Sequence, residues 1–160
     1  LDAARLRAAL PPDHALVLKT HPNLDPAATP RDGYDVVADP RAEINDLLAL
    51  TDVLITDYSS SVVEFAILRR PIVLLVPDLA EYEVDPGLYL DYRTEMIGTQ
   101  VGDTDGVIEA IATDRFDRSD YDAFVERQLG TARGGASERF VRHFLGGGTG
   151  SATPPPGRPG

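Results

Sequence analysis

The chain has 160 residues, a formal net charge of -11 at pH 7 and no cysteine. This length suits one domain with a buried core. The negative charge opposes nucleic acid and anionic lipid surfaces, but it does not exclude a local basic pocket for a phosphorylated ligand. The lack of cysteine excludes disulfides and thiolate metal sites, which is compatible with the cytosol. The longest apolar run, residues 71–77, is far shorter than the ~20 residues of a membrane span.

The apolar pattern predicts helices and strands that alternate along the chain. The run over residues 72–76 is unbroken, which is typical of a strand buried on both faces. We therefore expect an α/β fold with a parallel, doubly wound sheet and helices on both faces. In chain order we predict a helix over residues 1–10, strands over 15–19 and 34–38, a helix over 42–50, a strand over 53–56, a helix over 61–69, a strand over 72–76, a short helix over 78–84, irregular chain over 85–100, and helices over 105–113, 121–129 and 137–145.

The end of the chain differs in composition from the rest. The last predicted helix has Ser137 as its expected N-cap and Gly146 as its expected C-cap. Residues 146–160 are rich in Gly, Pro, Ser and Thr, so we expect a disordered tail after a domain over residues 1–145. Because the sequence starts at Leu1 without an initiator Met or a signal peptide, we expect that domain to be truncated at its N-terminus.

Three serines follow the predicted strand over residues 53–56. Asp57 comes directly after the strand, and Ser59, Ser60 and Ser61 lead into the next helix. Such a turn presents backbone N–H groups, hydroxyls and the positive end of a helix dipole, which together suit a phosphate or diphosphate. Ligands of α/β sheets usually bind at strand ends of this kind. We call residues 57–61 the serine turn and predict that it binds phosphate.

The same residues also allow plainer interpretations. Ser61 and Glu64 fit the S-x-x-E capping box, in which Glu64 caps the helix and contacts no ligand. A capped helix start still has free N–H groups, so capping and phosphate binding are compatible. Asp57 either contacts a ligand or only accepts hydrogen bonds from turn amides as an Asx turn.

Other candidate side chains lie outside the serine turn. His21 follows a predicted strand, which we expect to lie beside the strand over residues 53–56 in one sheet. At such a strand end an imidazole can act as a general base or as a cation that stabilises phosphate charge; a surface or structural role is the alternative. Arg70 precedes the strand over residues 72–76 and offers a guanidinium to phosphate, or it neutralises a helix C-terminus. The aromatic residues of the irregular region either line a nucleotide pocket or anchor loops; they are Tyr82, Tyr89 and Tyr92.

Several common nucleotide and metal motifs are absent from the sequence. It contains no G-x-x-x-x-G-K-[ST] loop, no G-x-G-x-x-G turn and no H-E-x-x-H. These absences argue against P-loop NTPases, standard dinucleotide binders and zincins.

An ordered set of short segments resembles the CDP-glycerol:poly(glycerophosphate) glycerophosphotransferase family of teichoic-acid polymerases and primases. The most specific is residues 54–60, followed by an acidic residue four positions after the second Ser. The segments cover most of residues 13–145. They are residues 19–22 (KTHP), 44–48 (INDLL), 54–60 (LITDYSS) with 64–65 (EF), 70–72 (RPI), 78–82 (DLAEY), 87–92 (GLYLDY) and 135–139 (GASER).

The resemblance implies a Rossmann-like domain, the C-terminal, donor-binding half of a GT-B architecture whose active site lies between two halves. The N-terminal half, with its own histidine, and the strand that opens the C-terminal half are expected to lie outside this sequence. The implied reaction transfers glycerol phosphate from CDP-glycerol to a poly(glycerol phosphate) acceptor on a lipid carrier, with release of CMP. The implied location of the full-length protein is the cytoplasmic face of the membrane, to which it would bind peripherally.

By the same resemblance, His21 is the histidine of the family. It would assist the transfer reaction as a general base or by stabilising the charge of the diphosphate. The resemblance assigns binding of the donor diphosphate and nucleotide to six residues: Asp57, Ser59, Ser60, Ser61, Glu64 and Arg70. We expect no tightly bound cofactor or metal, although Mg²⁺ held loosely on the donor is allowed, and no nucleic acid partner. The alternatives are a GT-B glycosyltransferase or a sugar-nucleotide epimerase that uses a nucleotide sugar, and a non-catalytic nucleotide-binding module.

Overall fold

The computed structural model describes residues 1–21, 23–24, 31–88, 90–118, 120–130 and 134–145. The chain divides into two compact units, Leu1–Gln128 and Leu129–Gly160. The expected tail over residues 146–160 lies outside the described residues. In chain order the elements are α1 (Ala3–Ala9), β1 (Val17–Leu18), β2 (Val36–Val37), α2 (Ile44–Leu50), β3 (Leu54–Thr56), α3 (Ser61–Ala66), β4 (Ile72–Leu75), α4 (Leu79–Tyr82), a π-helical turn (Glu83–Gly87), α5 (Tyr92–Glu95), β5 (Thr99–Val101), α6 (Thr104–Thr113), α7 (Tyr121–Leu129) and α8 (Ala136–Phe144).

The five strands found among the described residues all pair in parallel, which confirms the predicted α/β class. They form two sheets, one with the order β1-β2 and one with the order β3-β4-β5. We had expected β1 and β3 to lie side by side in one sheet, and this was wrong. β1 pairs with β2, β3 pairs with β4, and no strand among the described residues joins the two sheets.

Helices cover both faces of the three-stranded sheet, as predicted. β4 is its central strand, and Ile72, Val73 and Leu74 are all fully buried. Ile72 and Leu74 pack into one apolar cluster with α3 and α7, where Phe65 and Phe124 are buried. Val73 faces the other way, into a second cluster with α1 and α6. The unbroken apolar run of β4 therefore reflects burial on both faces.

Residues 85–100, which we had predicted to be irregular, contain α5 and most of β5. β5 has only one strongly apolar residue, Val101, and it exists because it pairs with β4. Gly98 precedes it with φ +105, and a Cβ at this position would lie 2.9 Å from the side chain of Ile72. The chain therefore reaches β4 through a left-handed conformation in which a side chain has no room.

Several predicted helix boundaries also change. α3 ends at Ala66 and is shorter than predicted. α8 has Gly135 at the N-cap position, with φ 67, so Ser137 lies inside the helix and is not its cap. The predicted C-cap, Gly146, lies outside the described residues.

Candidate functional site

The serine turn lies at the edge of the three-stranded sheet where the parallel strands end. β3 runs into the turn, and the chain after β4 and β5 leaves the sheet at the same edge. A cavity of about 300 Å³ opens beside the ends of β4 and β5, and Pro77, Arg93 and Gln100 are among the residues that line it. The structure thus places the turn where ligands of doubly wound sheets bind.

The serine hydroxyls organise the turn among themselves. Ser59 Oγ lies 2.9 Å from Ser61 Oγ and accepts a hydrogen bond of 3.2 Å from the Ser61 amide. Ser60 occupies the N-cap position of α3, makes no side-chain capping bond and is exposed. The capping box predicted for Ser61 and Glu64 is not formed, because Ser61 is already the first residue of the helix.

The two acidic residues of the site remain exposed. Neither the Asp57 carboxylate nor the Glu64 carboxylate has a hydrogen bond to any residue within the described ranges. The predicted Asx turn is therefore wrong for Asp57. Its backbone carbonyl is the ordered group instead, because it accepts a hydrogen bond of 2.7 Å from the Tyr92 hydroxyl. Glu64 lies one turn into α3, beyond the serines.

Tyrosine side chains pack against the serine turn and bond to its backbone. These contacts favour a role in anchoring loops over a role in lining a nucleotide pocket. Tyr92 is 3% exposed. The Tyr58 ring stacks on Tyr82, with 3.7 Å between ring centroids, and its hydroxyl donates to Asp78 Oδ1 at 2.9 Å. Tyr89 lies outside the described residues. Burial raises the pKa of Tyr92 to about 12, helped by the nearby Asp57 carboxylate. Burial, followed by the hydrogen bond to Asp78, also raises the pKa of Tyr58, so both phenols stay protonated at neutral pH.

His21 follows β1 and is exposed. Its Nδ1 lies 3.2 Å from the amide of Asn23 and accepts a hydrogen bond from it. In the neutral imidazole the proton is therefore on Nε2, which is the donor atom of the ring. Lys19, from the same motif, donates from Nζ to the carbonyls of Thr20 and Pro40, both at 2.9 Å. The lysine thus fixes the loops that follow β1 and β2.

Arg70 does not join the serine turn. Its Nη1 donates to the carbonyls of Ala49 and Thr51, at 2.9 and 2.7 Å. It precedes β4, whereas the turn follows β3, and the two strands run parallel. The guanidinium therefore neutralises the C-terminal end of α2 at the opposite edge of the sheet, which is the alternative role that the sequence allowed.

The serine turn receives no cation from the described part of the chain. Among those residues, no Lys or Arg side chain forms a hydrogen bond or ion pair with the turn. Arg93, beside the cavity, is held by Glu83 at 3.1 Å. The same residues contain no group of three or more His, Asp or Glu that could hold a metal ion. The turn therefore offers hydroxyls and amides to a ligand but little positive charge.

Comparison with known proteins places the chain in a family. It matches the CDP-Glycerol:Poly(glycerophosphate) glycerophosphotransferase family over residues 1–146. The chain belongs to this family. The match contains the serine turn, His21 and α8, and the family agrees with the one that the sequence motifs resemble.

The relatives are teichoic-acid enzymes that are much longer than this chain. Teichoic acid poly(ribitol-phosphate) polymerase of Bacillus spizizenii is 34% identical over 148 residues, which covers 91% of this chain and 24% of the relative. Teichoic acid poly(glycerol phosphate) polymerase of Bacillus subtilis is 36% identical over 116 residues, which covers 69% and 15%. The chain spans 27% of the teichoic acid ribitol-phosphate polymerase TarL of Staphylococcus aureus.

Solved structures of the wall teichoic acid polymerase TagF share the fold. A TagF variant soaked with CDPG superposes with a TM-score of 0.71 at 25% identity, over 91% of this chain and 38% of that one. Another TagF structure gives a TM-score of 0.69 at 23% identity. None of the described helices of the present chain is both long and apolar enough to cross a membrane.

Sequence reasoning missed the role of Tyr92. The tyrosine was recognised as a pocket or anchor residue, but its contact with Asp57 joins residues 35 positions apart. No local pattern predicts such a pair. The available signal was that a buried phenol requires a hydrogen-bond acceptor.

Proposed function

We propose that this chain is the donor-binding part of a glycerophosphotransferase that moves glycerol phosphate from CDP-glycerol to a poly(glycerol phosphate) acceptor of teichoic-acid type. The observation that supports this best is the serine turn at the carboxyl edge of the sheet, inside the matched part of the family. Its hydroxyls and amides suit the oxygens of a diphosphate.

In the proposed reaction, a terminal hydroxyl of the acceptor attacks the β-phosphorus of the donor. A bond forms between the acceptor oxygen and that phosphorus, the bond to the bridging oxygen breaks, and CMP leaves with the electron pair. The hydroxyl proton passes to a base or to water. Catalysis must therefore stabilise charge on the diphosphate as CMP departs.

We assign the diphosphate to Ser59, Ser60 and the start of α3 at Ser61. Glu64 is a candidate acceptor for the ribose hydroxyls because its carboxylate is exposed beside the serines. Asp57 acts through its backbone carbonyl in ordering the turn. We do not assign Arg70 to the donor site, because it lies at the edge of the sheet opposite the serine turn. For His21 the hydrogen bond at Nδ1 favours donation from Nε2 to a phosphate oxygen over removal of a proton.

The scarcity of positive charge at the turn supports a further part of the proposal. A diphosphate needs cations, and in our proposal they come from Mg²⁺ held on the donor or from a second half of a longer protein. The lengths of the relatives support such an extension, because the chain spans 27% of one of them and 24% of another. We propose that the longer protein works at the cytoplasmic face of the membrane, where a lipid-linked acceptor would lie. In α8, Phe140 and Phe144 are exposed and suit an apolar surface.

Titration of the chain with CDP-glycerol, CDP-ribitol, CMP and UMP tests the donor assignment. We expect the cytidine ligands to bind with a Kd of roughly 0.1–1 mM, equivalent to about 4–5.5 kcal/mol. Amide NMR should show the first shifts at residues 57–64. A preference for UMP would favour a nucleotide-sugar enzyme. No shift at millimolar CDP-glycerol, or shifts confined to residues 146–160, would contradict the proposal.

A further inference from the structure

The serine turn is held by contacts that arrive from distant parts of the chain. The Tyr92 hydroxyl donates to the carbonyl of Asp57, the residue with which the turn begins. Tyr92 is buried, and its own backbone carbonyl accepts a hydrogen bond of 3.0 Å from Gln100 Nε2 on β5. A line of hydrogen bonds thus runs from β5 through Tyr92 to the turn after β3.

The next residue of the turn is held as well. The Tyr58 ring stacks on the Tyr82 ring of α4 and makes an edge contact with the Tyr92 ring, whose centroid is 5.3 Å away. Its hydroxyl donates to Asp78, the N-cap residue of α4. We call Tyr58, Asp78, Tyr82 and Tyr92 the tyrosine bracket.

These contacts fix the direction of a peptide group. Because the peptide unit is planar and trans, a carbonyl of Asp57 that points to Tyr92 turns the amide of Tyr58 the opposite way. The residues that follow, Ser59 to Ser61, continue from this fixed plane into α3. Ordering a free turn on binding costs conformational entropy at each residue, so a turn ordered beforehand binds its ligand more tightly.

We propose that the tyrosine bracket pre-orders the serine turn for the donor diphosphate, and that Tyr92 is its positioning residue. This inference rests on the proposed function, since it presumes that the turn binds the donor. Tyr92 itself needs no contact with the ligand. It acts through the backbone of Asp57.

The chain offers a closely matched control for Tyr92. Tyr121 is 5% exposed, belongs to the same apolar cluster and donates its hydroxyl to the carbonyl of Arg70 at 3.0 Å. That carbonyl lies before β4, at the edge of the sheet away from the turn. Tyr92→Phe and Tyr121→Phe therefore remove the same atom from the same core, and each leaves one backbone carbonyl without its tyrosine donor. Tyr121→Phe also removes the hydroxyl from the backbone of Ile72, away from the serine turn.

The test compares these two variants in the 160-residue chain. We expect both to lower the melting temperature by a similar few degrees. Only Tyr92→Phe should weaken binding of CDP-glycerol, by roughly tenfold, the order expected for one lost hydrogen bond plus turn ordering. Only Tyr92→Phe should speed amide hydrogen exchange at residues 58–61, by about fivefold or more.

Amide hydrogen exchange is measured without ligand, so it tests the tyrosine bracket separately from the proposed donor-binding function. If the wild-type chain binds no cytidine nucleotide, the proposed function fails and exchange alone decides the bracket. Equal exchange and affinity changes in both variants, or none in Tyr92→Phe, would overturn the inference. Should Tyr92→Phe not fold, Tyr58→Phe removes the bond to Asp78 and keeps the ring stack. It is expected to change exchange and affinity in the same direction, and wild-type values in it would also refute the bracket.

Discussion

Ser59 and Ser60 are adjacent and chemically identical, yet the structure gives them different roles. Ser59 Oγ accepts from the Ser61 amide and shares a hydrogen bond with Ser61 Oγ, whereas Ser60 Oγ has no bond to a described side chain or amide and is exposed. Ser59→Ala and Ser60→Ala should therefore separate turn stability from donor binding.

The size of each effect follows from these contacts. Ser59→Ala removes a capping-type hydrogen bond and a hydroxyl pair, both partly exposed, so we expect a loss of about 1 kcal/mol in the free energy of unfolding. For a chain of this size that lowers the melting temperature by about 2–4 °C. Ser60→Ala loses no internal contact and should stay within about 0.5 kcal/mol of wild type.

Donor binding should respond to both substitutions. Each removes one hydroxyl that can donate to a charged phosphate oxygen, a bond of about 1.5–3 kcal/mol. Discounted for exposure to water, this is roughly a tenfold increase in the Kd for CDP-glycerol. Thermal melts monitored by circular dichroism and NMR titration measure the two quantities on the same samples. If Ser60→Ala destabilises the chain as much as Ser59→Ala, or if neither changes the Kd, the assignment of the serine turn fails.

Three further predictions concern other regions. Deleting residues 146–160 should leave the melting temperature nearly unchanged, because the segment has no apolar face to bury; a drop of more than a few degrees would show that it packs on the domain. In a protein that joins this chain to the rest of a polymerase, His21→Ala should lower turnover roughly 10²-fold with little change in nucleotide affinity. His21→Gln, which keeps a donor, should recover part of that loss, and no recovery would favour proton removal instead. Because the pKa of Tyr92 is raised from 10.0 to about 12, the folded chain keeps a proton that the unfolded chain loses, so stability should fall as pH rises between about 10 and 12. The free energy of unfolding, measured with urea, should decline less over this pH range in Tyr92→Phe than in the wild type. An equal decline in both would contradict the contribution of the buried Tyr92 phenol.

Much of the architecture could be predicted from the sequence because it depends on local patterns. The unbroken apolar run of β4 indicated a strand buried on both faces, and Ile72, Val73 and Leu74 are fully buried. The alternation of helices and strands indicated parallel pairing, which all five strands show. The ordered motifs also indicated the family, because short segments around the ends of β1 and β3 keep a recognisable order.

Predictions of which residues and strands lie side by side in space succeeded less often, because strand direction and strand order decide these contacts. Arg70 and the serine turn are close in the sequence, but parallel pairing of β3 with β4 puts them at opposite edges of the sheet. β1 and β3 both end in polar loops, but they belong to different sheets. β5 has too few apolar residues to be predicted alone and depends on its ladder with β4.

The sequence by itself determined the parallel α/β class, the family, and a hydroxyl-rich turn that follows a strand. These depend on periodicity and on residues that are adjacent in the chain. Only the tertiary structure decided how that turn is held. The Tyr92 hydroxyl reaches the Asp57 carbonyl across 35 residues, because the chain after β4 folds back beneath the end of β3 and a buried phenol must find an acceptor there.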